Sequence, residues 1–209
     1  MDYQTLIHEW KKYPGKWDNS YRRSIDSGIW NNPLLYVEEK VQFLNDWLCR
    51  VDKRTAIPDI KKQRKRLSNL FQEISSLSLL NLTCRELKQP KQIYDLLAKV
   101  NGLGPTGISK YMHMHRPDLF IMWDNQIFRD YFHIKTVLKS TATSKRYLKF
   151  MLRMRDEIRE AVHTFASSKN INETQATIEL RKHFKNETLP RILDKVNYVT
   201  RGQPKQLIY

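Results

Sequence analysis

Apolar residues along this chain recur at spacings of three and four, and no stretch alternates convincingly at period two. That one property excludes most folds, because a half-buried strand needs period two and an amphipathic helix needs about 3.6. Leu34, Val37, Val41, Leu44 and Leu48 form one such stripe. Leu67, Leu70, Phe71, Ile74 and Leu77 form a second, and Ile93, Leu96, Leu97 and Val100 a third, opening near Pro90 and closing at Asn101-Gly102. Tyr147, Met151, Met154, Ile158, Val162 and Phe165 mark a long helix from about Ser144. Further helices are expected at about 2–12, 105–115, 125–132, 173–184 and 190–199. The Gly, Pro and Asn punctuation at 13–33 reads as a long loop. The expected class is all-α. With 209 residues it forms one helical unit, divisible into two lobes: 34–135, and 1–33 together with 136–209.

Charge narrows the function. Lys and Arg number 37 against 22 acidic residues, a net +15. Such an excess repels itself unless a polyanion screens it, and nucleic acid is the commonest polyanion. An anionic membrane surface is the rival, but no segment has the run of about 18 apolar residues that spans a bilayer. The basic residues cluster. Lys53, Arg54, Lys61, Lys62, Arg64, Lys65 and Arg66 lie together, and Lys145, Arg146, Lys149, Arg153, Arg155 and Arg159 decorate the long helix. Each cluster is either a solvated helix face or a set of phosphate contacts, and the chain-wide excess favours phosphate. Cys49 and Cys84 are isolated, so neither a zinc site nor an iron–sulfur cluster is expected, and a disulfide between them stays open. Two lone thiols and an N-terminus without an apolar secretory core point to an intracellular protein, cytoplasmic and nucleoid-associated or nuclear.

The chemistry is concentrated in residues 97–129, LAKVNGLGPTGISKYMHMHRPDLFIMWDNQIFR. A helix runs into Asn101-Gly102-Leu103-Gly104 and another begins at Pro105, the composition of a tight helix-to-helix turn. The free N–H groups of the second helix favour an anion such as a DNA phosphate, although an ordinary helical corner has the same residues. After the breaker Arg116-Pro117-Asp118, the apolar run Leu119–Trp123 ends in Asp124. A carboxylate at the rim of a core is costly unless paired or functional. It can also cap the helix that begins at Asn125, and the two roles are compatible.

This segment resembles the helix-hairpin-helix and Gly/Pro-Asp signature of the endonuclease III and adenine-glycosylase superfamily. Val100-Asn101-Gly102-Leu103-Gly104 matches the hairpin, placing the motif at about 91–115. Asp124 follows Gly104 by 20 residues, in register with the family's catalytic aspartate. Asp124-Asn125-Gln126-Ile127-Phe128-Arg129 is similar to the family's continuation. The likeness covers about 33 of 209 residues. It implies a helical glycosylase-like fold, and Asn101, Gly102, Leu103, Gly104, Thr106, Gly107, Lys110 and Arg129 beside DNA; the charge excess adds Arg64, Lys65 and Arg66 as phosphate contacts. It implies Asp124 as the catalytic carboxylate. There are departures. Thr106 stands where bifunctional members carry their Schiff-base lysine, which implies a monofunctional enzyme, with Lys110 one turn further on as a poor substitute. Asn101 stands where Pro is usual, and the iron–sulfur cysteines are absent.

Breaking a base–sugar bond develops positive charge on the sugar, which one carboxylate can stabilise. The base must leave the stack for an aromatic or apolar pocket. Trp123, Trp10, Trp17, Tyr21 and Trp30 are the candidates, each of which is equally a core residue type. The aromatic–basic run from Trp10 to Trp17 suits an unstacking surface. His113 and His115, two apart on a helix, face different sides and chelate poorly, so no metal site is expected. The resemblance leaves room for a monovalent cation on the hairpin carbonyls, and no other cofactor. The expected protein is a monomeric DNA N-glycosylase acting on double-stranded DNA, with no membrane partner. The alternatives are a non-catalytic helix-hairpin-helix nucleic-acid-binding protein and an adaptor for membranes or proteins.

Overall fold

The computed structural model describes residues 1–138 and 140–202. Among them the chain is all-α, with no strand. The helices are α1 (Tyr3–Lys11), α2 (Asp18–Asp26), α3 (Val37–Asp46), α4 (Lys53–Glu73), α5 (Lys88–Ala98) and α6 (Pro105–His115). They continue as α7 (Asn125–Phe132), α8 (Ser144–Lys169), α9 (Glu173–His183) and α10 (Leu189–Asn197). A 3₁₀ turn, Arg85–Leu87, leads into α5, and a π turn, Tyr198–Gly202, follows α10.

The helix starts follow from side chains that can replace a missing helical acceptor. Asp2, Asp52, Asp124, Thr143, Asn172 and Thr188 each accept a hydrogen bond from a backbone N–H in the first turn of the helix they precede. Each such cap is worth about 1 kcal/mol. At the far end, Arg116 donates to the carbonyls of Ile74, Ser75 and Leu77, and so anchors the turn that follows α4.

Two expectations need correction, and one helix extends beyond its apolar stripe. The stripe 34–48 is only partly helical, since α3 covers Val37–Asp46, and Leu34 and Leu48 stand outside it, 37% and 69% exposed. Tyr36 before it and Leu48 after it take left-handed backbone conformations, which interrupt a helix. The basic segment from 53 to 66 belongs to the same helix as the stripe at 67–74, so α4 is 21 residues long. The expected loop at 13–33 contains α2. Only Tyr21 and Ser24 of that helix are buried, too few to leave a periodic signal.

Helices α3, α4, α5 and α6 pack on one another, and α1, α8, α9 and α10 form a second group. Helix α8 also packs on α5, and the buried residues run as one cluster from Leu6 to Val196 through both groups. The two lobes expected from the sequence therefore share a core. Positions 139 and 203–209 of the second lobe lie outside the described residues. Among the described residues no helix is long and apolar enough to cross a membrane.

Candidate active site

The connection from α5 to α6 is fastened to the start of α4. Gly102 has φ +75°, and a Cβ there would come within 2.7 Å of Thr55 Oγ1 and 2.9 Å of Asp52 Cβ. The Thr55 hydroxyl donates to Asn101 O (3.2 Å), and Asp52 N–H donates to Gly102 O (3.3 Å). Asn101 N–H donates to Asp59 Oδ2 at 2.9 Å, a bond that a proline at this position cannot make. Gly102 is thus required by contact within the protein, where the sequence suggested contact with DNA. Leu103 is fully buried, so its side chain anchors the loop and offers nothing to a phosphate. Gly104 has open space where a Cβ would stand. It precedes α6, whose N-terminus has no side-chain cap. The carbonyls of Asn101 and Gly102, where a hairpin cation would be sought, already accept protein donors.

The segment Leu119–Trp123 is buried throughout and carries Asp124 out of the core. Ser109 Oγ accepts from Trp123 N–H (3.1 Å) and lies 3.0 Å from Trp123 O. Trp123 Nε1 donates to Pro105 O (3.2 Å), and the Tyr147 hydroxyl donates to Ile121 O (2.8 Å). These bonds fix the segment against α6, so Asp124 stands beside the helix that follows the glycine turn. Ile127 N–H donates to Asp124 Oδ1 at 2.7 Å, which makes Asp124 the N-cap of α7. Its Oδ2 has no hydrogen-bond partner among the described residues. Burial pushes the Asp124 carboxyl above the usual carboxylate range, against the pull of the Ile127 amide and of Lys110 and Arg129.

Asp124 opens into a cleft of about 540 Å³. Its other lining comes from the α3–α4 connection (Trp47–Arg50), Thr106 and Lys110 of α6, the Tyr13–Trp17 region, Arg191 and Asp194 of α10, and Tyr198. Lys110 Nζ donates to Trp47 O (3.0 Å) and lies 5.2 Å from the Trp47 ring centre. Arg191 is fully buried. It donates to Asp194 Oδ2, to Asp18 Oδ1 (3.1 Å) and to the Tyr13 hydroxyl (3.4 Å), and stacks 4.6 Å from the Tyr21 ring centre. Lys195 joins Asp18 Oδ2 (2.9 Å) to Glu187. Burial and the nearby Asp124 charge push Asp194 upward, while Arg191 and Lys110 oppose the shift.

Of the five aromatic candidates, Trp17 and Trp123 line the cleft. Trp123 is buried, edge-on to Phe128 and Tyr147, and forms part of the floor. Tyr21 is buried behind Arg191, its hydroxyl 2.9 Å from His113 Nε2. Trp30 lies in the core against Phe43, Tyr111 and His115, and Trp10 packs on Phe184 with Nε1 donating to Glu187. Neither lines the cleft. His113 has Phe120 O on Nδ1 and Tyr21 on Nε2, and burial pushes it down to about 3. Arg129 lines the cleft, exposed and bonded to Gln126.

The basic clusters divide. On α8, Arg155 and Arg159 donate to the carbonyls of Leu82 and Leu80, Arg146 to Thr141 O, and Arg153 pairs with Glu157. Those arginines fasten loops and side chains of the protein itself. On α4, Lys61 pairs with Glu38 and Arg54 with Asp52, whereas Arg64, Lys65 and Arg66 are exposed. At 1.5 Å rise per residue they lie about 8 to 21 Å along the axis from the residues that anchor the glycine turn, and they do not line the cleft. Sequence reasoning missed Trp47, Arg191 and Asp194. Their only signal was residue type, because their partners are remote in the chain. Cys49 and Cys84 are free thiols, the former in the cleft.

Residues 41–196 match DUF6308, a family of unknown function. The chain belongs to that family. The DUF6308 region takes in Trp47, Gly102, Lys110, Asp124, Arg191 and Asp194, but leaves the Tyr13–Trp17 side of the cleft outside it. No curated protein and no solved structure matches the chain.

Proposed function

We propose that the protein is a monofunctional DNA N-glycosylase acting on an extruded base in duplex DNA. The reading is carried by Asp124, a desolvated carboxylate with one oxygen fixed by a helix cap and the other unpartnered, facing a cleft lined by Trp17 and Trp47. A fixed anion in a water-poor site is suited to the positive charge that develops on deoxyribose when its bond to a base breaks. Beside it stands the uncapped start of α6 behind Gly104, where backbone N–H groups suit a phosphate. The net charge of +15 supplies the attraction for DNA. The helix-hairpin-helix likeness supports the same assignment. Thr106 cannot form a Schiff base, so an abasic site is left intact. Lys110, one turn further along α6, donates to Trp47 O.

The test is a panel of duplexes bearing damaged, mismatched and modified bases, each incubated with the protein and then treated with alkali. Strands should break only after alkali, and borohydride should trap no adduct. On the released base, Asp124→Asn should lower the single-turnover rate by about two orders of magnitude or more. Because the amide still accepts from Ile127 N–H, stability should change by about 1 kcal/mol or less. The wild-type rate should fall as pH drops through the raised Asp124 value, so the acid limb lies above the position set by an ordinary aspartate. Equal rates for the two proteins would reduce Asp124 to a helix cap and move the catalytic role to another group, whereas release of no base from any duplex would leave a non-catalytic DNA binder.

A further inference from the structure

The cleft holds a second carboxylate that the glycosylase reading leaves without a role. Asp194 sits on α10, on a different wall from Asp124. Its bland explanation is to be the counter-ion of buried Arg191. That explanation is incomplete, because Asp18 already pairs with the same guanidinium at 3.1 Å. Only one Asp194 oxygen is engaged: Arg191 Nη1 donates to Oδ2. Oδ1 has no partner among the described residues, and it is not one of the buried atoms sealed from solvent without a bond. Asp194 is one of the residues that line the cleft. Of the cations that line the cleft, Lys110 donates to the Trp47 carbonyl and Arg191 to Asp18, Asp194 and Tyr13. The cleft therefore presents a second carboxylate acceptor, held from behind by Arg191, besides the carboxylate that must stand near C1′.

We infer that Asp194 is the specificity-determining residue of the cleft: its free Oδ1 accepts a hydrogen bond from the exocyclic amino group of the extruded base. This rests on the glycosylase reading. The geometry selects that group because the exocyclic substituent projects from the edge of the base remote from the sugar, and Asp124 occupies the sugar end. An oxo group at the same position meets a carboxylate oxygen with no proton between them, and is repelled. The arrangement also specifies what an amide would do. In Asp194→Asn, Arg191 still needs an acceptor, so the amide oxygen turns to the guanidinium and the NH₂ faces the cleft. Donor and acceptor are then exchanged at the point of readout.

Duplexes carrying amino/oxo pairs of one ring system read this directly: adenine against hypoxanthine, cytosine against uracil, and 5-methylcytosine against thymine. Single-turnover release by the wild type should favour the amino member by about tenfold or more, the loss expected from one charge-assisted hydrogen bond. Asp194→Asn should reverse the preference in favour of the oxo member. A residue that merely balances Arg191 would alter both rates together and leave their ratio unchanged. An unchanged ratio in the variant, or a wild type that prefers the oxo member, overturns the assignment while the glycosylase reading stands. If the variant does not unfold cooperatively, the wild-type ratio alone decides. Release of no base in any duplex overturns the glycosylase reading, and this assignment with it.

Discussion

The two walls of the cleft are assembled in different ways. The wall that carries Asp124 comes from one continuous stretch of chain. Its fastening bonds join residues 14, 18 and 19 apart: Ser109 with Trp123, Trp123 with Pro105, and Thr106 with Asn125. The wall that carries Asp194 joins the two ends of the described chain. Arg191 meets Asp18 across 173 residues and Tyr13 across 178, and Lys195 meets Asp18 across 177. The first wall is held by neutral hydrogen bonds and apolar burial, the second by ion pairs in a desolvated setting. The difference teaches that position and persistence are supplied separately. The local wall sets where Asp124 stands, and the long-range wall ties the two ends of the described chain together across the cleft.

The largest effect should come from breaking the second wall. Arg191→Met keeps much of the length and removes the guanidinium, leaving the buried Asp194 with no salt-bridge partner and Asp18 with Lys195 alone. Removing one partner of a buried pair costs about 3–5 kcal/mol, because the other charge stays desolvated and uncompensated. Denaturant unfolding should show that loss in the midpoint, with Asp124→Asn as the contrasting variant from the first wall. A loss below about 1 kcal/mol would mean that the ionic network contributes little and that both walls rest on packing alone.

That contrast also explains what the sequence disclosed. The helices α6 and α7 are legible to the residue because Pro105, Gly104 and Asp124 act on neighbours a few positions away. Asp124 itself was legible for the same reason: an apolar run ending in a carboxylate is a local pattern. Arg191 and Asp194 look like an exposed i, i+3 pair on a short helix, and their burial depends on Tyr13, Asp18 and Tyr21 arriving from the other end of the chain. Helix α2 was hidden because it buries only Tyr21 and Ser24. Trp30 and Trp10 have the composition of a stacking pocket, yet a sequence cannot say which side of a core a tryptophan faces. On α8 the charge pattern misleads, since Arg155 and Arg159 serve the carbonyls of Leu82 and Leu80.

A middle-sized effect separates the two glycines of the first wall. Gly102→Ala places a Cβ at φ +75°, within 3 Å of Thr55 and Asp52. A non-glycine residue in that region, with backbone and side chain crowded against it, should cost about 1–3 kcal/mol. Gly104→Ala meets nothing within 4 Å and has an ordinary backbone angle, so thermal unfolding should change by less than about 1 kcal/mol. Its methyl group stands instead where a phosphate would approach α6, and duplex affinity should fall. Similar affinities for the two variants at equal folded fractions would show that Gly104 is not a point of contact.

The smallest effect on the fold should come from the basic face of α4, which belongs to neither wall. Arg64, Lys65 and Arg66 are exposed, and no hydrogen bond or ion pair engages them among the described residues. Changing all three to Gln should alter stability by about 0.5 kcal/mol or less, as for ordinary surface positions. Their contribution is to a long-range field, so it belongs in the salt dependence of binding. Each phosphate they neutralise adds about 0.9 to the slope of log K against log salt, and the triple variant should flatten that slope by the same amount for every phosphate it leaves without a cation. The ratio between amino and oxo bases should stay as it is in the wild type, because these side chains lie well away from the cleft. A slope equal to the wild type would mark this face as solvated surface and leave the α6 N-terminus and Arg129 to meet the DNA. A shift in base preference would place α4 against the extruded base, and the two-walled description of the cleft would then lack a third side.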